Sequence, residues 1–288
     1  AVVVAAALFA VGAETELALP LAAVAAATAP AATVAVIHDL DARGPLTRMV
    51  LAVVAIDDVA ALALFALSVA AAASITGVDG AWGLVGEAGW EVVGGLALGV
   101  ALGAPAAALT GRLQPGEPTR EEAYGIVLLC AGLAISLDVS FILAAVVMGA
   151  IVANFARHHD YPFLEIENIE WPFLTLFFFL AGARLELGQL SAVGVLGVAY
   201  VGARIVGKVL GAAVGGRIAR QDPSTSRRLG VALLPQAGIA LGLSLEAAER
   251  FPSVADDIIA IVVAATVFFE LTGPLLTRWA LASAGETA

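Results

Sequence analysis

The sequence predicts an all-α polytopic membrane protein, and three observations carry that reading. Of its 288 residues, 61% are hydrophobic and only 14% charged, against roughly 25% charged in a soluble globular domain. Mean hydropathy is +0.98. Apolar runs of about 20 residues, the length that crosses a hydrocarbon core, recur from end to end. Together these exclude a soluble enzyme, a nucleic-acid binder and a disordered tail. The net charge of −11 argues against a basic patch for nucleic acid or an anionic membrane surface. Cys130 is the single cysteine, so neither an intrachain disulfide nor a Cys/His metal site is expected, and no cofactor is implied.

Pro, Gly and charge clusters bound the apolar runs near Val2–Ala13, Leu17–Ile37, Leu46–Ala73, Val92–Leu113 and Glu122–Leu137, then Val139–Ala156, Pro172–Leu187, Ser191–Ile218, Leu229–Ala248 and Val254–Leu281. The first offers 12 residues, about 18 Å of a core about 30 Å thick, and reads as the tail of a helix, so the chain is expected to be truncated at its N-terminus. Orientation follows from arginine. If the loop after Ile37 is cytoplasmic, alternation puts ten arginines inside, among them Arg43, Arg48, Arg120, Arg217 and Arg228, and two, Arg184 and Arg250, outside. That is a strong positive-inside bias, and a miscounted helix would scramble it. Trp82 and Trp90 fall in the longest outside loop, and His158 and His159 in an inside loop where solvated histidines are expected. The spacings Gly207, Gly211 and Gly215 read as helix packing.

Ionisable residues at membrane depth are costly and face a cavity or a partner. Here they are few: Asp57 and Asp58 in VVAIDDVAALAL, Arg204 and Lys208 in GARIVGKVLG, and Glu270 in FFELTGP. Adjacent aspartates raise the cost of ionising both, which points to function rather than a simple structural ion pair. Helix neighbours point about 100° apart, so one carboxylate can meet another helix while the other faces a cavity. Asp57 lies about 15 Å and Lys208 about 12 Å from the cytoplasmic side, depths that match a pair. Arg204 shares a face with Lys208, and Glu270, in the inner half of its span, is the counter-ion that depth offers Arg204, in a pair for which a structural and a functional role stay equally open.

Two runs carry breakers at matched places, Thr28-Ala29-Pro30 and Pro235-Gln236-Ala237-Gly238. Proline removes a backbone donor and clashes with the preceding turn, exposing carbonyls and half-helix dipoles. By the arginine count the two broken helices run in opposite directions, and each is followed by a helix carrying membrane acid. This is the pattern of an inverted repeat with a substrate site where the broken helices cross. A small monovalent cation fits it.

The segments ATAPAATVAVI, RGPLTRMVLAVVAIDDV, RIVGKVLGA, LLPQAGIALGL and ELTGPLLTRWAL occur in this order. The chain thereby resembles, essentially end to end, the second family of monovalent cation:proton antiporters, which includes bacterial sodium/proton antiporters and, more distantly, potassium efflux systems. The paired aspartate with the later lysine is the most specific element. The resemblance implies a core of two inverted repeats, at 1–73 and 191–288, and a linker with dimerisation-panel helices at 74–190. It implies that Asp58 binds the ion, that Asp57 pairs with Lys208, and that Thr28, Pro30, Pro235 and Gln236 line the broken-helix site. It further implies a homodimer in the full-length protein, a prokaryotic plasma membrane, and alternating-access exchange of a monovalent cation, sodium favoured over potassium, for protons; it is a transporter, not an enzyme. Low-dielectric surroundings disfavour the charged forms of carboxylate and lysine alike, so either group can exchange a proton. Two rival classes need comparable residues. A sodium-coupled symporter of organic anions has a similar core. An intramembrane aspartyl protease needs its acids on facing helices, whereas these sit side by side without a GxGD sequence.

Overall fold

The computed structural model describes residues 1–76, 81–110, 119–156, 190–236 and 238–287, with 162–166, 169, 172–173, 175–176 and 179; side chains at 58–59, 76, 81–88, 110, 119 and 190–193 lie outside that description. Every extended regular element among the described residues is helical. Most of the run Pro172–Leu187, and the loops holding His158, His159 and Arg184, lie outside the described residues. The chain divides into two compact units, one formed by Ala1–Val78 with Ala181–Ala288 and the other by Asp79–Leu180.

The first unit begins with α1 (Val2–Ala10) and α2 (Thr15–Val24). Seven of the ten residues of α2 are buried, so this half-helix sits inside the unit and its chain end must find internal partners. It stops because Pro30 cannot extend an α-helix backwards: it has no N–H and pushes Ala29 into the extended region, where φ is −91° and ψ is 101°. The chain restarts as α3 (Pro30–Asp39), with proline at its first turn, where the missing donor costs nothing. Ten residues span about 15 Å, so neither half crosses a bilayer alone. The helix α4 (Pro45–Thr76) carries both aspartates and has 32 residues, about 48 Å.

After the second unit, α8 (Leu190–Ile218) runs unbroken and carries Arg204 and Lys208. The next broken pair is α9 (Pro223–Ala232) and α10 (Gly238–Arg250), separated by non-helical backbone at 233–236, and α11 (Ala255–Ser283) closes the unit. Asp222 caps α9 by accepting the N–H groups of Ser224 and Thr225 at 2.9 and 3.1 Å; the Ser224 hydroxyl, and then those N–H groups, hold its carboxyl below the usual range. In space, α1 packs on α8 and α2, α2 on α4, α9 on α8, and α10 on α11. One apolar cluster unites Ile37, Leu46, Val50 and Val54 with Leu229, Leu233 and Leu281. The N-terminus of α4 is capped from the far end of the sequence. Glu286 accepts the N–H groups of Leu46 and Thr47 and the Thr47 hydroxyl, each at 2.8 Å, and its carbonyl accepts Arg43 N–H at 2.9 Å.

The second unit holds α5 (Ala81–Thr110), α6 (Thr119–Leu137) and α7 (Phe141–Phe155). Gly95, Gly99 and Gly103 let α5 lie directly on α7: a Cβ at Gly99 would stand 2.6 Å from the Ala144 carbonyl oxygen. Small residues four apart permit this approach. The close packing expected at Gly207, Gly211 and Gly215 is therefore found on another helix. Gly207 meets only Val3, and Gly211 and Gly215 have no described atom within 4 Å, because spacing alone does not say which face of a helix has a neighbour. Cys130 is a buried free thiol in this unit, and Trp90 donates its indole N–H to the Leu137 carbonyl at 3.0 Å.

Four helices among the described residues are long and apolar enough to cross a membrane: Pro45–Ile75, Gly89–Leu109, Gly194–Ile218 and Pro252–Ser283.

Candidate functional site

The two unwound segments, 25–29 and 233–236, meet within the first unit. Ala29 N–H donates across the crossing to the Pro235 carbonyl at 3.0 Å. Such segments leave carbonyls without helical partners, which are expensive where water is scarce. Two basic side chains from α8, one turn apart, take them up.

Lys208 reaches the first segment. Its ammonium donates to the Ala26 carbonyl at 2.5 Å, to Thr28 Oγ1 at 2.8 Å and to Asp57 Oδ2 at 2.9 Å. An ammonium has three N–H donors and no acceptor, and each of these contacts is to an oxygen. Thr28, which is fully buried, accepts from Lys208 and donates its own hydroxyl proton to the same Asp57 oxygen. The ion pair is largely enclosed, with the Lys208 and Asp57 side chains 11% and 17% exposed. Its position is fixed from behind by Gly230 of α9, whose missing side chain leaves room for the Lys208 carbonyl 3.0 Å from where a Cβ would stand.

Arg204 reaches both segments. One terminal nitrogen donates to the Leu234 carbonyl at 2.6 Å; the other donates to the Ala27 carbonyl at 2.7 Å and the Pro235 carbonyl at 3.4 Å. Its guanidinium carbon lies 4.3 Å from the centre of the Phe269 ring, a cation–π arrangement. Glu270 is not among the partners described for Arg204: main-chain oxygens take the terminal N–H groups, and Phe269, the neighbour of Glu270, presents its ring instead. Glu270 is half-buried on α11 and has interactions of its own.

The other expected residues fall around this centre. Gln236 is buried and donates to the Tyr200 hydroxyl at 3.1 Å. Pro30 opens α3 with its ring exposed. Pro235 supplies a carbonyl and lies against Gly273, where a Cβ would stand 2.8 Å from Pro235 Cα. Asp58 lies on α4 next to Asp57, and its side chain is outside the described residues. Sequence reasoning passed over Ala26, Ala27 and Leu234, which contribute through main-chain oxygens, and Tyr200 and Phe269. The signal for Tyr200 was available: it stands four residues before Arg204 and eight before Lys208, on one helical face.

The arrangement therefore combines a carboxylate, a hydroxyl, non-helical main-chain carbonyls and a lysine ammonium at the crossing of two broken helices. Residues 1–282 match the family described as sodium/hydrogen exchanger, transmembrane. The chain belongs to that family. No curated protein matches the chain. As a member of the sodium/hydrogen exchangers it is an integral, multi-pass membrane domain, and its family is one of cation:proton antiporters rather than enzymes.

Proposed function

We propose that the chain exchanges a monovalent cation, sodium in preference to potassium, for protons by alternating access, with the crossing of the unwound segments as its transport site. One observation carries the reading: the Lys208 ammonium sits on Ala26 O, Thr28 Oγ1 and Asp57 Oδ2. Those are oxygen ligands of the kind that hold an alkali cation. A cation arriving there takes the ammonium's place, and Lys208 gives up a proton as its carboxylate partner is taken from it. One positive charge enters the seat and one leaves, which makes the exchange obligatory. Asp58 supplies the additional carboxylate that binds the ion, and Asp57 with Lys208 carries the proton.

In this reading 1–73 and 191–288 are inverted repeats that move the site between the two faces. Residues 74–190 supply the linker and the panel through which the full-length protein dimerises in a prokaryotic plasma membrane. The test is proton flux in vesicles containing the full-length protein, with sodium, lithium and potassium compared. Asp58→Asn keeps the shape and removes the charge, so it should abolish cation-driven proton flux in a protein that still folds. Undiminished exchange would take the ion-binding carboxylate out of the mechanism. Sodium-driven uptake of a labelled organic anion without proton flux would assign the chain to symport instead.

A further inference from the structure

Arg204 and Lys208 lie one turn apart on α8, yet their surroundings differ in kind. Lys208 takes one main-chain carbonyl, at Ala26, but its other partners are a carboxylate and a hydroxyl, groups whose charge or hydrogen bonding changes with proton or ion binding. Among the described residues, the hydrogen-bond acceptors of Arg204 are main-chain carbonyls, at Ala27, Leu234 and Pro235, and its guanidinium lies over the ring of Phe269. It is 1% exposed, and a guanidinium stays protonated where a lysine would not. The carbonyls come from both unwound segments, so one planar fork spans the crossing. Carbonyls of unwound helices at membrane depth are also the groups that transporters use to coordinate monovalent cations.

We propose that Arg204 is a positioning residue whose guanidinium permanently fills a carbonyl cage between the two unwound segments, holding them to each other and keeping the transported cation from a second seat beside Asp57. The positive charge in the cage is covalently attached and does not exchange; the positive charge one turn along, on Lys208, does. This inference concerns binding and stability at the crossing and holds whichever ion the chain carries.

The test is chemical rescue in the full-length protein. Arg204→Ala empties the cage of its charge and its donors. Guanidinium chloride at low millimolar concentration, far below denaturing levels, should raise the melting midpoint of the purified Arg204→Ala protein by about 3 °C or more and leave the parent unmoved. Urea, similar in size and uncharged, should do nothing. In a second arm Asp57→Asn and Asp58→Asn are added, so that the carboxylates no longer hold sodium. Sodium should then stabilise the variant lacking Arg204 and have no effect on the one retaining it. No response to guanidinium, or an equal response to urea, would make Arg204 a packing residue and overturn the proposal; loss of the sodium effect would remove the second seat from it. If Arg204→Ala does not survive extraction, Arg204→Lys decides. Its single ammonium cannot span the two segments, so its midpoint should fall and vesicle transport should lose at least about threefold in maximal rate with the sodium KM unchanged. A lysine variant with parental stability and rate would refute the clasp. Because melting needs no transport, failure here is distinguishable from failure of the antiport reading.

Discussion

Replacing Lys208 with glutamine takes an ammonium away from three oxygens at once: Ala26 O, Thr28 Oγ1 and Asp57 Oδ2. A glutamine amide can still reach the Ala26 carbonyl or Thr28, but Asp57 then keeps only the Thr28 hydroxyl as a described donor. Removing one member of a buried ion pair costs about 3–5 kcal/mol. With side chains 11% and 17% exposed, residual solvent screens this pair and places it at or below the bottom of that range, at about 2–3 kcal/mol. For a chain of this size that is a drop of about 4–12 °C in melting midpoint. Asp57→Asn strands the ammonium in the same way and should cost a similar amount. The double variant leaves two neutral amides in place of two charges, so it should cost less than the sum of the singles by about 0.5–3 kcal/mol. The assay is thermal unfolding of parent, both singles and the double in one detergent at one pH, paired with proton flux from the same preparations. If the double equals the sum within about 0.5 kcal/mol, the two side chains do not act as a pair, and the assignment of Lys208 to Asp57 is wrong.

Gly273→Ala should push α11 off the second unwound segment, since its Cβ would stand 2.8 Å from Pro235 Cα; about 1–3 kcal/mol of stability should be lost, with slower transport in vesicles. Glu286→Gln should cost about 0.5–2 kcal/mol at neutral pH, the worth of a helix N-cap, and Gly44→Ala, whose methyl would collide with the Glu286 side chain, should mimic it. Burial raises the affinity of Glu286 for its proton, but the Thr47 and Leu46 N–H groups, the Thr47 hydroxyl and Arg48 outweigh burial and hold its carboxyl below the ordinary 4.5. Because the folded value lies below the unfolded one, the cap contributes fully above that ordinary value and is lost as pH falls through the lowered one. Melting curves of parent and Glu286→Gln should accordingly differ at pH 7 and converge in acid, and a gap that persists in acid would contradict this. An impermeant thiol reagent applied from outside should label Thr76→Cys or Gly80→Cys and spare Ser224→Cys, in a Cys130→Ser background; the reverse pattern would invert the orientation read from the arginines.

The helical class, the breaks and the pairing of Asp57 with Lys208 were legible because each rests on local arithmetic: run length, proline position, rise per residue. The destination of Arg204 was not. Pairing it with Glu270 assumes that a buried cation seeks a side-chain anion, whereas an unwound helix end offers several partial negative charges in the main chain that no residue type announces. Pro30 and Pro235 signalled that carbonyls would be exposed, but which ones face α8 is decided by the tertiary path of the backbone. Glu286 was equally silent. A carboxylate at the far end of the chain looks like any solvated tail residue until α11 returns it to the N-terminus of α4.

That return has a consequence for biosynthesis. The bonds that complete the crossing and cap α4 join positions far apart in synthesis: Asp57 waits 151 residues for Lys208, Ala27 waits 177 for Arg204, and Leu46 waits 240 for Glu286. At about 5–20 residues per second, the aspartate is made roughly 8–30 s before its lysine exists. During that interval the nascent first part of the chain holds Asp57 with the Thr28 hydroxyl but without Lys208, and an unwound turn whose Ala26 and Ala27 carbonyls lack the Lys208 and Arg204 donors that later take them up. Insertion of this half must therefore be provisional, sheltered by the translocon, bound water or surrounding lipid headgroups. A ribosome stalled before residue 204 should leave an early half that quality-control proteases recognise by its uncovered carboxylate and main-chain carbonyls.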